Sequence, residues 1–425
     1  MNSSSAQLRI AQLAAVPTVH RAFHRLHLQQ LQLHRWQLEM LRIPAPPFGE
    51  QARAAWFLER FQQLGLANAH IDEAGNALAE LPGLQSPETS PVILLSAHLD
   101  TVFPPGTPTE PTEANSRILG PGACDNAAGL TALLGVAAAL RHAHHTPPVT
   151  ILFAANVGEE GEGDLRGMRH LFTASPYAQR IVAAIALEGS GCSAAVTRAL
   201  ASRRFRVTVS GPGGHSWTDA GAPNPILILA RALLALEALD LPHGDPRTTL
   251  NIGHIAGGTS INSIPESATA GIDLRSTDSG HLQAAEAALR DTLDHWIVQS
   301  PAPLPLGRSS QPPPILTIET IGDRPGGTLP GDSPLLATLR AVDRHLNLRT
   351  ETGLGSTDAN IPLSLGVPAI AIGGGGHGGG IHTLQEWYDP TGRNAALRRI
   401  LLTLLDTAQL ATLEQPAQPP QHASP

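Results

Sequence analysis

The sequence predicts an α/β protein, a mostly parallel sheet flanked by helices, with an α+β domain inserted into it. Three observations carry that expectation. Four short apolar runs, at 92–96, 149–156, 181–187 and 367–373, are rich in Val, Ile, Leu and Ala and bounded by Gly and Pro, as buried parallel strands are. An Ala/Leu-rich stretch at 130–141 has the composition of a buried helix between two of them. Near Arg203 the pattern changes to polar/apolar alternation, the signature of half-exposed strands.

Taken in order, residues 7–41 have helical spacing with His, Gln and Arg on the polar side, and the prolines of 44–47 end the helix. Its histidines, and those of the 141–145 cluster, are expected in solvent. A second helix follows at 50–64, then a hairpin over 72–80 whose turn is Ala74-Gly75-Asn76. The helix at 130–141 begins just after Asp125, which puts that carboxylate where backbone donors and the macrodipole would hold it. In the insert, strands at 203–210, 248–255, 268–275 and 315–321 and helices at 225–241 and 281–298 give the order β-α-β-β-α-β, a split βαβ unit. The division expected is therefore 1–202 and 324–413 for the sheet domain and 203–323 for the insert, which contains a proline-rich segment at 301–314. Residues 414–425, polar and proline-bearing, read as a disordered tail.

At 425 residues and 42% hydrophobic content the chain can bury two cores, filled by aliphatics because aromatics make up 4%. A net charge of -8 without any basic block argues against nucleic acid or an anionic membrane as partner and favours a small solute. There is no lysine, so all 28 basic residues are arginine, which removes lysine Schiff-base chemistry. Two cysteines, Cys124 and Cys192, are too few for a disulfide framework or a thiolate zinc site. No run approaches the roughly 18 apolar residues of a membrane span, and the first thirty residues lack a secretory core, so the default expectation is a cytoplasmic protein.

Each apolar run stops at a group that can bind a metal or move a proton. The first leads to His98 and Asp100, the second to Glu159 and Glu160, the third to Glu188, and the fourth to His377 and His382. Ligands in open α/β sheets gather outside the carboxyl ends of strands, so these ends describe one site. An acid two residues after a histidine commonly orients the imidazole, the reading given to Asp100. Asp125, on the glycine-bearing loop 120–126, is either a site residue or an ordinary helix cap. Adjacent carboxylates at Glu159 and Glu160 repel unless a cation or proton intervenes, and a metal on one leaves the other as a general base. Nitrogen and oxygen donors of this kind suit two divalent ions, zinc first, with cobalt or manganese possible.

In this set of motifs the chain resembles the M20 family of dinuclear metallopeptidases and amidohydrolases, nearest to its tripeptidase-like members. The resemblance spans nearly the whole chain. It rests on Ser96-Ala97-His98-Leu99-Asp100, Gly122-Ala123-Cys124-Asp125-Asn126, Gly158-Glu159-Glu160-Gly161, Leu187-Glu188-Gly189, Gly211-Pro212-Gly213-Gly214-His215-Ser216 and the glycine run ending at His382. It implies a zinc-peptidase catalytic domain with a lid and dimerisation insert. It further implies that Asp125 bridges two ions, His98 and Glu188 completing one and Glu160 and His382 the other. Glu159 would take a proton from the water bridging them and return it to the leaving amine. His215 would reach the partner subunit's active site in a homodimer formed through the lid, and Asn262 and Arg275 would bind the substrate's carboxylate. The glycines of 373–380 would offer backbone donors to the same anion. His377 is the alternative to His382, which the family pattern favours.

Where many relatives carry a lysine shortly after the bridging aspartate, this chain has Ala127-Ala128. Glu188, in place of Asp, resembles deacylases and carboxypeptidase-like members. The function expected is hydrolysis of an amide bond in a small peptide or N-acyl amino acid. The competing class is a non-catalytic small-molecule binder on the same scaffold, which would have no use for Glu159. Nucleotide binding is disfavoured because no glycine loop has the Gly-x-Gly-x-x-Gly arrangement between a strand and a helix.

Overall fold

In a computed structural model, which describes residues 3–86, 89–298 and 313–412, the chain forms two compact units: Met1–Ala199 with Gly327–Pro425, and Leu200–Gly326. The expected tail at 414–425 and most of the proline-rich segment lie outside the described residues.

The four apolar runs become the centre of the larger unit. Among the described residues its sheet has nine strands, and the neighbours at its middle are Thr150–Asn156, Val92–His98, Ile181–Leu187 and Ala369–Ile372, all mutually parallel. Their side chains are almost entirely buried, which is why these strands read as continuous apolar runs without alternation. The predicted hairpin, Ala67–Ile71 with Ala77–Leu81, adds antiparallel to Thr150–Asn156. Parallel alignment puts the carboxyl ends of the four central strands on one edge, and the residues that follow them are the candidate ligands.

Helix Ala127–His142 is buried on every side from Ala127 to Leu140. A helix apolar all round needs cover on both faces. The sheet supplies one, and the helices Pro17–Leu28 and Gln30–Leu41 supply the other. The N-terminal stretch differs from the single helix its spacing suggested: it forms three helices, Ser3–Ala14, Pro17–Leu28 and Gln30–Leu41. Pro17, without an N–H, opens the second, and Gln29 leaves helical geometry at φ -89 and ψ 9 to separate it from the third. Nor do all its polar residues face water. Gln29 is buried and donates to the Gly135 carbonyl at 2.8 Å. His145, expected in solvent, is half-buried and hydrogen-bonded to Thr18 Oγ1 at 2.9 Å, and burial pushes its pKa down.

The smaller unit is a four-stranded antiparallel sheet in the order Thr248–Gly257, Ser267–Ser276, Ala201–Ser210, Ile315–Arg324. Helices Pro225–Glu237 and Ser279–Val298 pack on it around Phe205, Val207, Leu229, Leu274 and Leu289. Ser202 pairs with Arg324, so this compact unit extends three residues beyond the predicted 203–323 at each end. No helix of the described residues is long and apolar enough to cross a membrane.

The N-terminal helices are tied to the larger unit by charge as well as packing. Asp406, fully buried on helix Arg393–Leu410, accepts from Arg9 Nε at 3.1 Å and Nη2 at 3.0 Å, and from Thr338 Oγ1 at 2.6 Å. Removing the guanidinium leaves a buried carboxylate without its counter-charge. Arg9→Ala should therefore destabilise the larger unit by about 3 kcal/mol, read as a lower urea midpoint; an unchanged midpoint would show that the first helix is not part of the cooperative unit.

Candidate metal centre

Each candidate ligand reaches the common edge by a short, specific route. His98 is the last residue of its strand and fully buried, and its Nδ1–H donates to the Asp100 carbonyl at 3.0 Å. The Asp100 carboxylate is farther from that nitrogen, at 3.6 Å. Its oxygens instead accept the main-chain N–H of Glu159 at 3.0 Å and of Glu160 at 2.7 Å. Asp100 thus orients His98 through its carbonyl and uses its carboxylate to shape the Glu159-Glu160 turn, a role the sequence reading did not foresee.

With Nδ1 donating, a neutral His98 directs the Nε2 lone pair at acceptors, 3.1 Å from Asp125 Oδ1 and 3.3 Å from Glu188 Oε1. Asp125 Oδ1 is buried and accepts no hydrogen bond despite that proximity. On the other side of the same carboxylate, His382 Nε2 lies 3.1 Å from Asp125 Oδ2 and 3.2 Å from Glu160 Oε1. Ligating atoms of His98, Asp125 and Glu160 all fall within 4.8 Å of one another. Four groups, two imidazoles and two carboxylates, therefore flank Asp125 on both sides.

Acceptors converging in this way need a cation between them, and protons are the smallest available. Burial disfavours a charged His98, but Glu188, Asp100 and Asp125 override it and hold the imidazole well above its ordinary range. His382 is pushed up to about 9, chiefly by its hydrogen bond to Asp125. Burial alone would raise Asp125, yet the two histidines hold it well below the usual carboxylate range. Burial pushes Glu188 up to about 7 and raises Glu160 as well. The donor set, nitrogen and oxygen with one orphaned carboxylate oxygen at its centre, fits divalent zinc, cobalt or manganese.

Two sequence expectations are corrected here. Asp125 is not the helix cap: Asn126 caps helix Ala127–His142, its Oδ1 accepting from Gly129 N at 3.2 Å and Gly189 N at 3.0 Å while its Nδ2 donates to Leu187 O at 2.8 Å. That frees the Asp125 side chain and ties its loop to the strand end bearing Glu188. The glycine run is not an open anion nest either. Gly374 N and Gly375 N donate to the carbonyls of Gly189 and Gly191, and a Cβ on Gly374 would stand 2.5 Å from Ala128 O. The glycines are there for close packing. His377, the alternative to His382, sits exposed in strand His377–Gly379 opposite Asp389, whereas His382 joins the cluster. His382 does so from the left-handed region, φ 64, uncommon for a side chain of its size and associated with functional positions.

Two supporting residues escaped the sequence reading. Arg53, buried on helix Gln51–Gln63, donates to the Leu99 carbonyl at 2.7 Å and so fixes the chain between His98 and Asp100. Glu386 is buried beneath the Asp125 loop, with burial pushing its carboxyl up to about 7 against three main-chain hydrogen bonds. An arginine on the apolar face of a helix beside Ala54, Phe57 and Phe61 was the available signal for the first; an acid beside buried Tyr388 was the faint one for the second.

The lid candidates lie in the smaller unit. His215 belongs to the short pair Gly214–His215 with Ser263–Ile264; its N–H donates to Asp219 Oδ2 at 2.8 Å, and its Nδ1 accepts from Trp217 N–H at 3.1 Å. Asn262 is exposed, its Oδ1 accepting from Ser260 Oγ at 3.0 Å. Arg275 Nε donates to Asp273 Oδ2 at 2.6 Å on strand Ser267–Ser276.

The model of peptidase family M20/M25/M40 matches residues 94–407. A probable carboxypeptidase of Aspergillus clavatus is 33% identical over 250 residues, 53% of this chain and 54% of that protein. The chain spans about half the length of the curated relatives it matches. Among solved structures, a tripeptidase of Staphylococcus aureus has a TM-score of 0.69 at 22% identity, covering 89% of this chain and 98% of the other. A dinuclear metal-binding M20 peptidase of Bacillus subtilis has a TM-score of 0.64 at 15% identity, covering 89% and 98%. At these identities the structural likeness shows the fold.

Because both halves of the cluster share Asp125, Asp125→Ala should empty it of divalent metal altogether, measured by elemental analysis of protein purified without chelator. Near-normal metal content in that variant would reduce Asp125 to a loop residue.

Proposed function

The chain belongs to peptidase family M20/M25/M40, and from that premise we propose that it is a metal-dependent hydrolase of an amide bond in a small peptide or N-acyl amino acid. One observation carries the reading: Asp125 turns one oxygen to His98 and the other to His382, each at 3.1 Å. In this reading His98, Glu188 and Asp125 would hold one divalent ion, and His382, Glu160 and Asp125 the other. Such a pair supplies polarisation of the scissile carbonyl and a water acidic enough to be deprotonated near neutral pH.

Glu159 is the general base. Glu160 lies against His382, and the Asp100 carboxylate holds the main chain at both glutamates, which keeps Glu159 next to the cluster, the position a proton-transferring acid needs. Glu159 accepts the proton of the attacking water and delivers it to the leaving amine. His215 is the oxyanion donor. Its Nδ1 accepts the Trp217 N–H, which places the proton of the neutral ring on Nε2, where it can be donated. Asn262 and Arg275 take the substrate's carboxylate, a task suited to the planar guanidinium.

A homodimer through the lid is supported by the surface of the smaller unit. Strand Thr248–Gly257 is a sheet edge, and beside it Leu227, Leu234 and Ile255 are 54%, 67% and 56% exposed. A long unprotected edge flanked by apolar side chains suits self-complementary pairing with a second copy, which would deliver His215 in trans. Assay of dipeptides, tripeptides and N-acetyl amino acids side by side decides between peptidase and deacylase; absence of turnover on all three with metal bound would favour a binding protein instead.

Glu159→Gln should lower turnover by roughly 10²–10⁴-fold or more while metal content persists; loss of the metal in that variant would make Glu159 a ligand. Mixing inactive Glu159→Gln protein with inactive His215→Ala protein should restore part of the activity, since one mixed site then has both an intact base and an intact lid histidine. Subunit exchange shown by tagged pull-down without recovered turnover would place His215 in cis or outside catalysis.

A further inference from the structure

We propose that Glu386 is a positioning residue for the metal centre, holding the main chain of residues 122–125 so that Asp125 presents one oxygen to each half of the cluster. The proposal rests on reading that cluster as a site for divalent ions. Glu386 lies four residues beyond His382 and is 0% exposed. Its Oε1 accepts the main-chain N–H of Cys124 at 2.8 Å and of Asp125 at 2.7 Å, and its Oε2 accepts that of Gly122 at 2.9 Å. The Glu386 carbonyl adds a fourth bond, from Gly120 N–H at 2.9 Å.

A tight loop that turns several N–H groups the same way needs an acceptor with several lone pairs, and an ionised carboxylate is the side chain that offers them without presenting a donor. These acceptor sites are committed to the main chain, so Glu386 acts on the centre through Asp125. The opposite side of the loop is held as well: Gln37 Nε2 donates to the Ala123 carbonyl at 3.0 Å, while Gln37 Oε1 accepts from Arg393 Nη1 at 3.3 Å. Gly122 sits at φ +76, where a Cβ would meet Thr101 Cγ2 at 2.7 Å, so the loop cannot readily take another path. Gripped by its N–H groups on one side and a carbonyl on the other, the backbone of Asp125 has one orientation, and its two 3.1 Å approaches to His98 and His382 follow from it.

Glutamine at this position keeps the size but puts an NH₂ group against one of the N–H donors. Full-length wild-type protein and Glu386→Gln, both stripped by chelator, are titrated with zinc ion against a chromophoric competitor. Wild type should take up two equivalents. The variant should bind roughly 10- to 100-fold more weakly, with kcat reduced more than KM, while its metal-free form retains the wild-type far-ultraviolet spectrum and a cooperative thermal transition. Glu386→Asp, which keeps the charge but withdraws it by one methylene, should fall between the two and serves if the glutamine variant does not fold. A folded Glu386→Gln or Glu386→Asp protein with wild-type zinc affinity overturns the proposal, as does failure of both variants to fold, which would make Glu386 a general structural residue. Wild-type protein that binds no zinc, cobalt or manganese fails in its own arm and removes the metal reading together with this one.

Discussion

Asp125 is enclosed by two imidazoles, 3.1 Å from His98 Nε2 on one side and 3.1 Å from His382 Nε2 on the other, with Glu160 and Glu188 close behind them. Three carboxylates this near one another are tolerable in a poorly solvated site only with positive charge among them. The same carboxylates hold both imidazoles above their ordinary range. The requirement for positive charge explains why the surrounding residues serve to keep donors fixed: a cluster that balanced its charge by relaxing apart would lose its capacity for divalent ions.

The parallel sheet meets that requirement first. Strand Val92–His98 lies between Thr150–Asn156 and Ile181–Leu187, and the chain leaves each of them at the same edge. Hydrogen bonds between the exit loops then set the register of the clustered side chains. The Asp100 carboxylate holds the turn after Thr150–Asn156, Asn126 joins the Asp125 loop to the end of Ile181–Leu187, and Glu386 holds the Asp125 loop from below. Each support links two loops distant in sequence, so displacing one of the clustered side chains disturbs its neighbour.

The smaller unit follows a separate logic. Its strands alternate because one sheet face is covered by helices and the other is not, and its core is distinct from that of the larger unit. Its polar candidates are arranged by local turns: Asp219 holds the His215 main chain and the Trp217 N–H fixes the acceptor nitrogen of the ring. A turn of this kind works wherever the unit is carried, as an inserted domain requires.

What the sequence determined by itself was everything that depends on near neighbours along the chain. Period and composition marked the four buried strands, the hairpin, the helix after Asp125 and the β-α-β-β-α-β insert, and motif order marked His98, Asp125, Glu160, Glu188 and His382 as a group. Apolar patterning records which face of an element is buried, and that is a local property. The tertiary structure decided the partners of buried polar groups, because a buried N–H or carboxylate accepts any suitable partner that the fold brings within reach, at any distance in sequence. Hence Asn126, not Asp125, caps the helix, the glycine run serves packing, and the single N-terminal stretch divides at Pro17 and Gln29 to cover helix Ala127–His142. For the same reason Gln37, Arg53 and Glu386 could not be singled out: their bonds to Ala123, Leu99 and Asp125 cross 86, 46 and 261 residues of chain.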